Sequence, residues 1–192
     1  RLDLAGRAGE TDKATEAFRQ AVERDPDSPT ALLALGTTLN EVKRFTKAVE
    51  VLLQALERAA TSDTEARAAI HSNLGIALHG LRRYDEAIRA FRDALSLGQE
   101  TVDLYALLGE CLYFADRDED ALVSFDRALV LDPSCARAWS GKGRALRWLG
   151  RYDDALAAFD QALALKPDYE WAMPGKGVTQ TIMERYDKSL VA

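Results

Sequence analysis

Self-similarity at a fixed period constrains this chain more than any other feature, because copies of one short unit must stack to bury their apolar faces. Gly36, Gly75, Gly109, Gly143 and Gly177 stand 39, 34, 34 and 34 residues apart. Twelve residues after each comes a small side chain: Ala48, Ala87, Ala121, Ala155 and Ser189. Sixteen after come Leu52, Phe91, Phe125 and Phe159, and nineteen after come Ala55, Ala94, Ala128 and Ala162. Pro133 and Pro167 share a closing column with Ala60 and Gln99, and Ala14, Phe18, Ala21 and Pro26 repeat the spacing without a leading glycine.

Each column has a physical meaning. Apolar residues three and four apart, as in Leu108, Leu112 and then Ala121, Phe125, Ala128, Leu129, form helical stripes. Small residues such as Gly109 and Ala121 let two antiparallel helices approach, and large ones such as Trp139 and Phe125 fill the space beside them. Asp132-Pro133 and Lys166-Pro167 stop one helix before the next begins. Leu149-Gly150-Arg151 is a breaker inside the unit. Each unit is therefore a helical hairpin.

The run Trp139…Lys142-Gly143…Leu146…Gly150-Arg151-Tyr152-Asp153-Asp154-Ala155…Phe159…Ala162-Leu163…Pro167 resembles the tetratricopeptide repeat (TPR) signature almost position for position. The resemblance spans nearly the whole chain. It divides residues 1–192 into a single array: a partial repeat (1–28), a repeat with a longer loop (29–67), three regular repeats (68–101, 102–135, 136–169) and a truncated repeat (170–192). It implies an all-α fold of about eleven helices in antiparallel pairs, wound into a right-handed superhelical solenoid. The expected core includes Leu35, Leu39, Leu74, Leu78, Leu108, Leu112, Phe91, Phe125, Trp139, Leu146 and Phe159.

Two departures from the pattern carry expectations. The first interval is five residues too long (39 − 34), with the excess near Thr61-Ser62-Asp63-Thr64, which predicts a longer loop with Thr61, Ser62 or Asp63 capping the next helix. The last copy carries Pro174, Gln180 and Ser189 and leaves an open apolar edge at Leu190-Val191. Such an edge calls for a continuation of the chain or for another protein, self-association through uncapped ends included.

Composition excludes more than it names. Lysine and arginine total 25 against 31 aspartates and glutamates, a net charge of −6. That balance works against nucleic acid and anionic membrane as partners. Two cysteines make neither a disulfide framework nor a metal site and fit a reducing, cytoplasmic setting. No apolar run reaches the roughly 20 residues that span a bilayer. The chain opens without methionine in mid-pattern, so we expect a fragment, with any targeting signal outside it.

Candidate chemistry dissolves into the repeat. Gly141-Lys142-Gly143 and Gly175-Lys176-Gly177 lack the spacing and the Ser/Thr of a phosphate loop, and their 34-residue separation is the repeat itself. His71 shares a packing column with Leu32, Tyr105 and Trp139, and His79 ends the same helix without further ligands for a metal. Cys111 reads as core and Cys135 as a helix start. Asp153-Asp154 and Glu119-Asp120 favour the macrodipole in a helix's first turn. No nucleophile, base and orienter stand together, so neither catalysis nor a cofactor is expected.

The remaining constellation follows from the resemblance, which places the first helix of each repeat on a concave, ligand-carrying groove. Carried over residue by residue, the groove holds Asp103, Glu110, Tyr113 and Phe114 from one copy, Arg137, Arg144, Arg147 and Trp148 from the next, and Trp171. Aromatics and arginines dominate binding hot spots, and an arginine fork suits an acidic segment or a C-terminal carboxylate. The competing account is a solvated groove whose arginines pair with Asp103 and Glu110. A chaperone-tail clamp would need cationic or amide partners around Asn73, where Leu33, Thr37, Asp103 and Leu107 stand. A non-catalytic protein- or peptide-binding module is the expected function, with a self-associating scaffold or a regulatory arm of a larger protein as alternatives.

Overall fold

A computed structural model describes residues 16–190, with side chains to residue 185. The described residues are all helix and turn: α1 (16–24), α2 (Pro29–Glu41), α3 (Phe45–Arg58), α4 (Thr64–Gly80), α5 (Tyr84–Ser96), α6 (Val102–Phe114), α7 (Asp118–Leu131), α8 (Ala136–Trp148), α9 (Tyr152–Leu165) and α10 (Ala172–Leu190). They fall into two compact units, Arg1–Gln99 and Glu100–Ala192. In the first, α2 packs on α3 and α4 on α5; in the second, α6 packs on α7 and α8 on α9, and α8 touches α6 and α10.

The expected columns are the packing. A Cβ on Gly36, Gly75, Gly109 or Gly143 would stand 2.5, 2.6, 2.7 or 2.8 Å from the Leu52, Phe91, Phe125 or Phe159 side chain sixteen residues on. All four of those large side chains are essentially fully buried. Gly141 and Gly175 close on Phe125 and Phe159 from the next pair, so each of these rings lies between two glycines. That disposes of the Gly-Lys-Gly motifs. Their lysines run to carboxylates, Lys142 Nζ to Asp126 at 2.7 Å and Lys176 Nζ to Asp160 at 2.5 Å. Of the expected core, only Trp139 is half-buried, because its indole N–H has to reach a partner and donates to the Pro133 carbonyl at 2.8 Å.

The turn inside each hairpin is equally regular. Seven residues after the glycine, Lys43, Arg82, Asp116 and Gly150 take φ of 59°, 60°, 55° and 74°. The next N–H, from Arg44, Arg83, Arg117 or Arg151, bonds back to Leu39, Leu78, Leu112 or Leu146 at 2.8–2.9 Å. This is the left-handed closure that ends a helix. Arg83, Arg117 and Arg151 then pair with Glu86, Asp120 and Asp154 in the first turn that follows. Those acids therefore meet a cation as well as the helix dipole.

Two expectations are corrected. There are ten helices among the described residues, not eleven. The last copy has Glu184 where the others turn left-handed, and α10 runs unbroken through it for 19 residues. The five extra residues mostly lengthen a helix instead of a loop. α4 has 17 residues where α2, α6 and α8 have 13, and the 59–63 connection exceeds 132–135 by one residue. Asp63 caps α4 by accepting from the Ala66 N–H at 3.0 Å. Arg67, in the added turn, donates to the Leu56 and Ala59 carbonyls. Those bonds anchor a segment, Thr64–Ala69, that already favours helix. Of the open edge, Val191 lies outside the described residues, as does the Leu190 side chain.

Candidate functional site

α6 and α8 each present a polar and aromatic stripe beside the glycine that packs inward. α6 starts at Thr101, whose hydroxyl accepts from the Leu104 N–H at 3.2 Å; this fixes Asp103 in the first turn and Glu110, Tyr113 and Phe114 in the last two. α8 starts at Cys135, as the sequence suggested, and carries Arg137 in its first turn and Arg144, Arg147 and Trp148 in its last two. Trp171 sits in the turn just before α10.

The structure gathers eight of these nine residues into two groups. In one, the Arg137 Nε lies 3.2 Å from the Glu110 Oε1. Burial pulls the Arg137 pKa down, but Glu110, Tyr169 and Asp103 outweigh it and hold the guanidinium above its ordinary value. Asp103, exposed on α6, contributes only through this field. Tyr169 was not singled out from the sequence. It occupies the column of the helix-starting residues Thr101 and Cys135, where an aromatic residue is the sole hint. Burial pushes its phenol up, Arg137 pulls it down and Glu110 pushes it up, with a net rise.

In the other group, the Arg144 guanidinium carbon lies 4.1 Å from the centre of the Tyr113 ring, 5.2 Å from Phe114 and 5.8 Å from Trp171. Exposed contacts of this kind contribute about 0.5–1 kcal/mol each. Tyr113 and Phe114 meet edge to face at 5.4 Å, and the Trp148 indole N–H donates to the Tyr113 hydroxyl at 2.7 Å. The Arg147 guanidinium lies 5.7 Å from the Trp148 ring, and its Nε is buried without a hydrogen-bond partner among the described residues. Three of the rings stay largely open to solvent: Phe114 at 42%, Trp148 at 66% and Trp171 at 56%. Internal pairing thus accounts for Arg137 and leaves Arg144 and Arg147 on aromatic faces.

Other polar candidates are committed elsewhere. Asn73 donates to the Ala69 carbonyl at 3.0 Å, and its own carbonyl accepts from the Asn40 amide at 2.9 Å. Cys111 is buried; burial, with Glu110 adding to it, pushes its thiol up to about 12, so it is no nucleophile at neutral pH. Among the described residues, no group of three or more His, Cys, Asp and Glu could hold a metal ion. Among the same residues, no helix is long and apolar enough to cross a membrane.

Comparison with known proteins agrees with this architecture. Models described as tetratricopeptide repeat match residues 1–38, 27–100, 78–145 and 136–169. No curated protein matches the chain. Among solved structures, YrrB, described as a TPR protein with an unusual peptide-binding site, is 28% identical with a TM-score of 0.73, over 92% of this chain and 89% of its own. MamA is 25% identical with a TM-score of 0.73, over 86% and 94%. A thermophilic TPR protein of Thermus thermophilus shares the fold at 21% identity and a TM-score of 0.66, over 93% and 94%. The repeat register, the hairpins built on it and these matches agree, and the chain belongs to the tetratricopeptide repeat family.

Proposed function

We propose that this chain is a non-catalytic recognition module that holds a protein or peptide segment on the face shared by α6, α8 and Trp171, with the arginines addressing a carboxylate of the partner. The observation that carries the reading is the Arg144 guanidinium set against three aromatic rings beside exposed Phe114, Trp148 and Trp171. Large exposed aromatics clustered with arginine mark binding surfaces. TPR domains are generally protein-interaction modules, and YrrB, similar over most of both chains, has a peptide-binding site. The rigid helical face lowers the ordering cost of binding. Selection of random displayed peptides on the native chain and on a folded Arg137→Glu/Arg144→Glu/Arg147→Glu variant tests the reading. Peptides enriched on the native chain and lost on the variant support it; identical enrichment on both removes the site.

A second reading is self-association through α10. It is favoured by the exposure of the apolar Met173 and Val178 on α10. Light scattering over a hundredfold range of concentration separates the two, since a mass that stays monomeric leaves no room for this one.

A further inference from the structure

Resting on the binding reading above, we infer that the partner segment is an internal, extended stretch presenting one acidic side chain with an apolar side chain on either side of it, rather than a run of acids. The charge of the face sets the first limit. Three arginines stand against Asp103 and Glu110, 3 − 2 = +1, in a chain whose net charge is −6. Arg137 is already matched by Glu110, so a polyacidic partner would bring its further charges up to Asp103, Glu110 and an acidic protein. One carboxylate balances the face.

Geometry sets the second limit. Arg144 stands on α8, which touches both α6, the carrier of Tyr113 and Phe114, and α10, which Trp171 precedes. Among the described residues neither Arg144 nor Arg147 has a carboxylate at ion-pair distance. The Arg144 guanidinium carbon stands 4.1 Å over the Tyr113 ring, and a guanidinium held over a ring keeps N–H donors that can bond a carboxylate. An anion held there has aromatic surface towards both neighbouring helices. Side chains two apart on an extended chain lie about 6.5–7 Å from each other. The rings lie 4.1 to 5.8 Å from the Arg144 charge, so the apolar residues belong two positions before and two after the acid. A chain terminus would use the aromatic surface on one side only.

The test uses nine-residue peptides blocked at both ends, titrated into the full chain by calorimetry. The parent peptide carries Phe, Glu and Leu at alternate positions separated by Ser. A second replaces Glu by Gln, a third replaces Phe and Leu by Ser, and a fourth carries six consecutive Glu. We expect the parent to bind about tenfold or more tighter than each of the others, the size of one charge-assisted hydrogen-bonding group. Arg144→Gln, checked for retained helix by circular dichroism, loses that preference, and Arg151→Gln, in the α8–α9 turn, keeps it. Equal binding of Glu and Gln peptides, equal or tighter binding of the six-Glu peptide, or an unaltered preference in Arg144→Gln overturns the inference. Binding by none of the four also overturns it; the recognition reading then stands or falls on the displayed-peptide selection, which assumes no ligand chemistry.

Discussion

The Trp148 indole N–H donates to the Tyr113 hydroxyl at 2.7 Å, across from the last turn of α8 to the last turn of α6. The same Tyr113 ring lies under Arg144, so one tyrosine orients both the guanidinium and the neighbouring indole. Tyr113→Phe removes the acceptor and keeps the ring. Because Trp148 is mostly exposed, the stability loss should stay below about 1 kcal/mol. Tyr113→Ala also removes the ring under Arg144 and should weaken a selected peptide more than Tyr113→Phe does. Thermal melts and peptide titrations of the two variants check this order, and equal affinities would contradict it.

Gly141 and Gly177 should respond to alanine with opposite signs. Phe125 is wedged between Gly109 and Gly141, so its ring cannot retreat from a new Cβ on either side. Gly141→Ala overpacks a buried site and should cost about 1–3 kcal/mol. Among the described residues nothing stands within 4 Å of a Cβ at Gly177, inside α10, so Gly177→Ala should gain up to about 1 kcal/mol from helix propensity alone. Denaturant midpoints of the two variants decide it.

The hairpin turns make a second paired prediction. Gly150 takes φ 74° and Arg82 takes φ 60° at the same repeat position. Gly150→Ala should cost about 1 kcal/mol because a Cβ opposes that conformation. Arg82→Gly relieves the same strain and, against the added freedom of the unfolded chain, should be close to neutral. A fall in melting temperature for Arg82→Gly as large as that for Gly150→Ala would show that the turn is not held by this conformation.

Acid should weaken the first unit through His71. The ring is 12% exposed and its Nδ1 has no hydrogen-bond partner among the described residues, 3.7 Å from an Asp93 oxygen. Burial lowers its pKa from 6.5, Asp93 raises it and Arg67 lowers it, with a net fall. The unfolded chain therefore takes up this proton at a higher pH than the folded one. Stability is fully present above about pH 6.5 and declines as the pH falls from there towards the depressed value. His71→Leu, which places the residue of the Leu32 column there, should flatten the melting-temperature difference between pH 7.5 and 5.5. An unchanged difference would assign the acid sensitivity to other groups.

The hairpins were legible because every large side chain has a small one at a fixed distance in sequence: Phe125 announced Gly109, and Phe159 announced Gly143. The longer α4 was not, since the polar Thr61-Ser62-Asp63-Thr64 reads as loop and hides that most of the extra length extends the helix capped by Asp63. The unbroken α10 was also missed, because its cause is a single residue, Glu184, in a column whose left-handed backbone shows in sequence only at Gly150. In the candidate site, face membership followed from repeat position. The partition of the arginines did not: Arg137 pairs with Glu110 beside Tyr169 while Arg144 takes the rings, Trp171 among them, and side-chain contacts between neighbouring copies do not show in the columns of the repeat.

The central claim is that partners lie on the face of α6, α8 and Trp171. It is tested most directly by amide and indole NMR shifts of the labelled chain on titration with a selected peptide. The account predicts that the largest changes cluster at Glu110, Tyr113, Phe114, Arg144, Arg147 and the indoles of Trp148 and Trp171. Changes centred instead on the outer residues of α7 and α9, such as Val123, Val130 and Ala157, with both indoles unmoved, would contradict it.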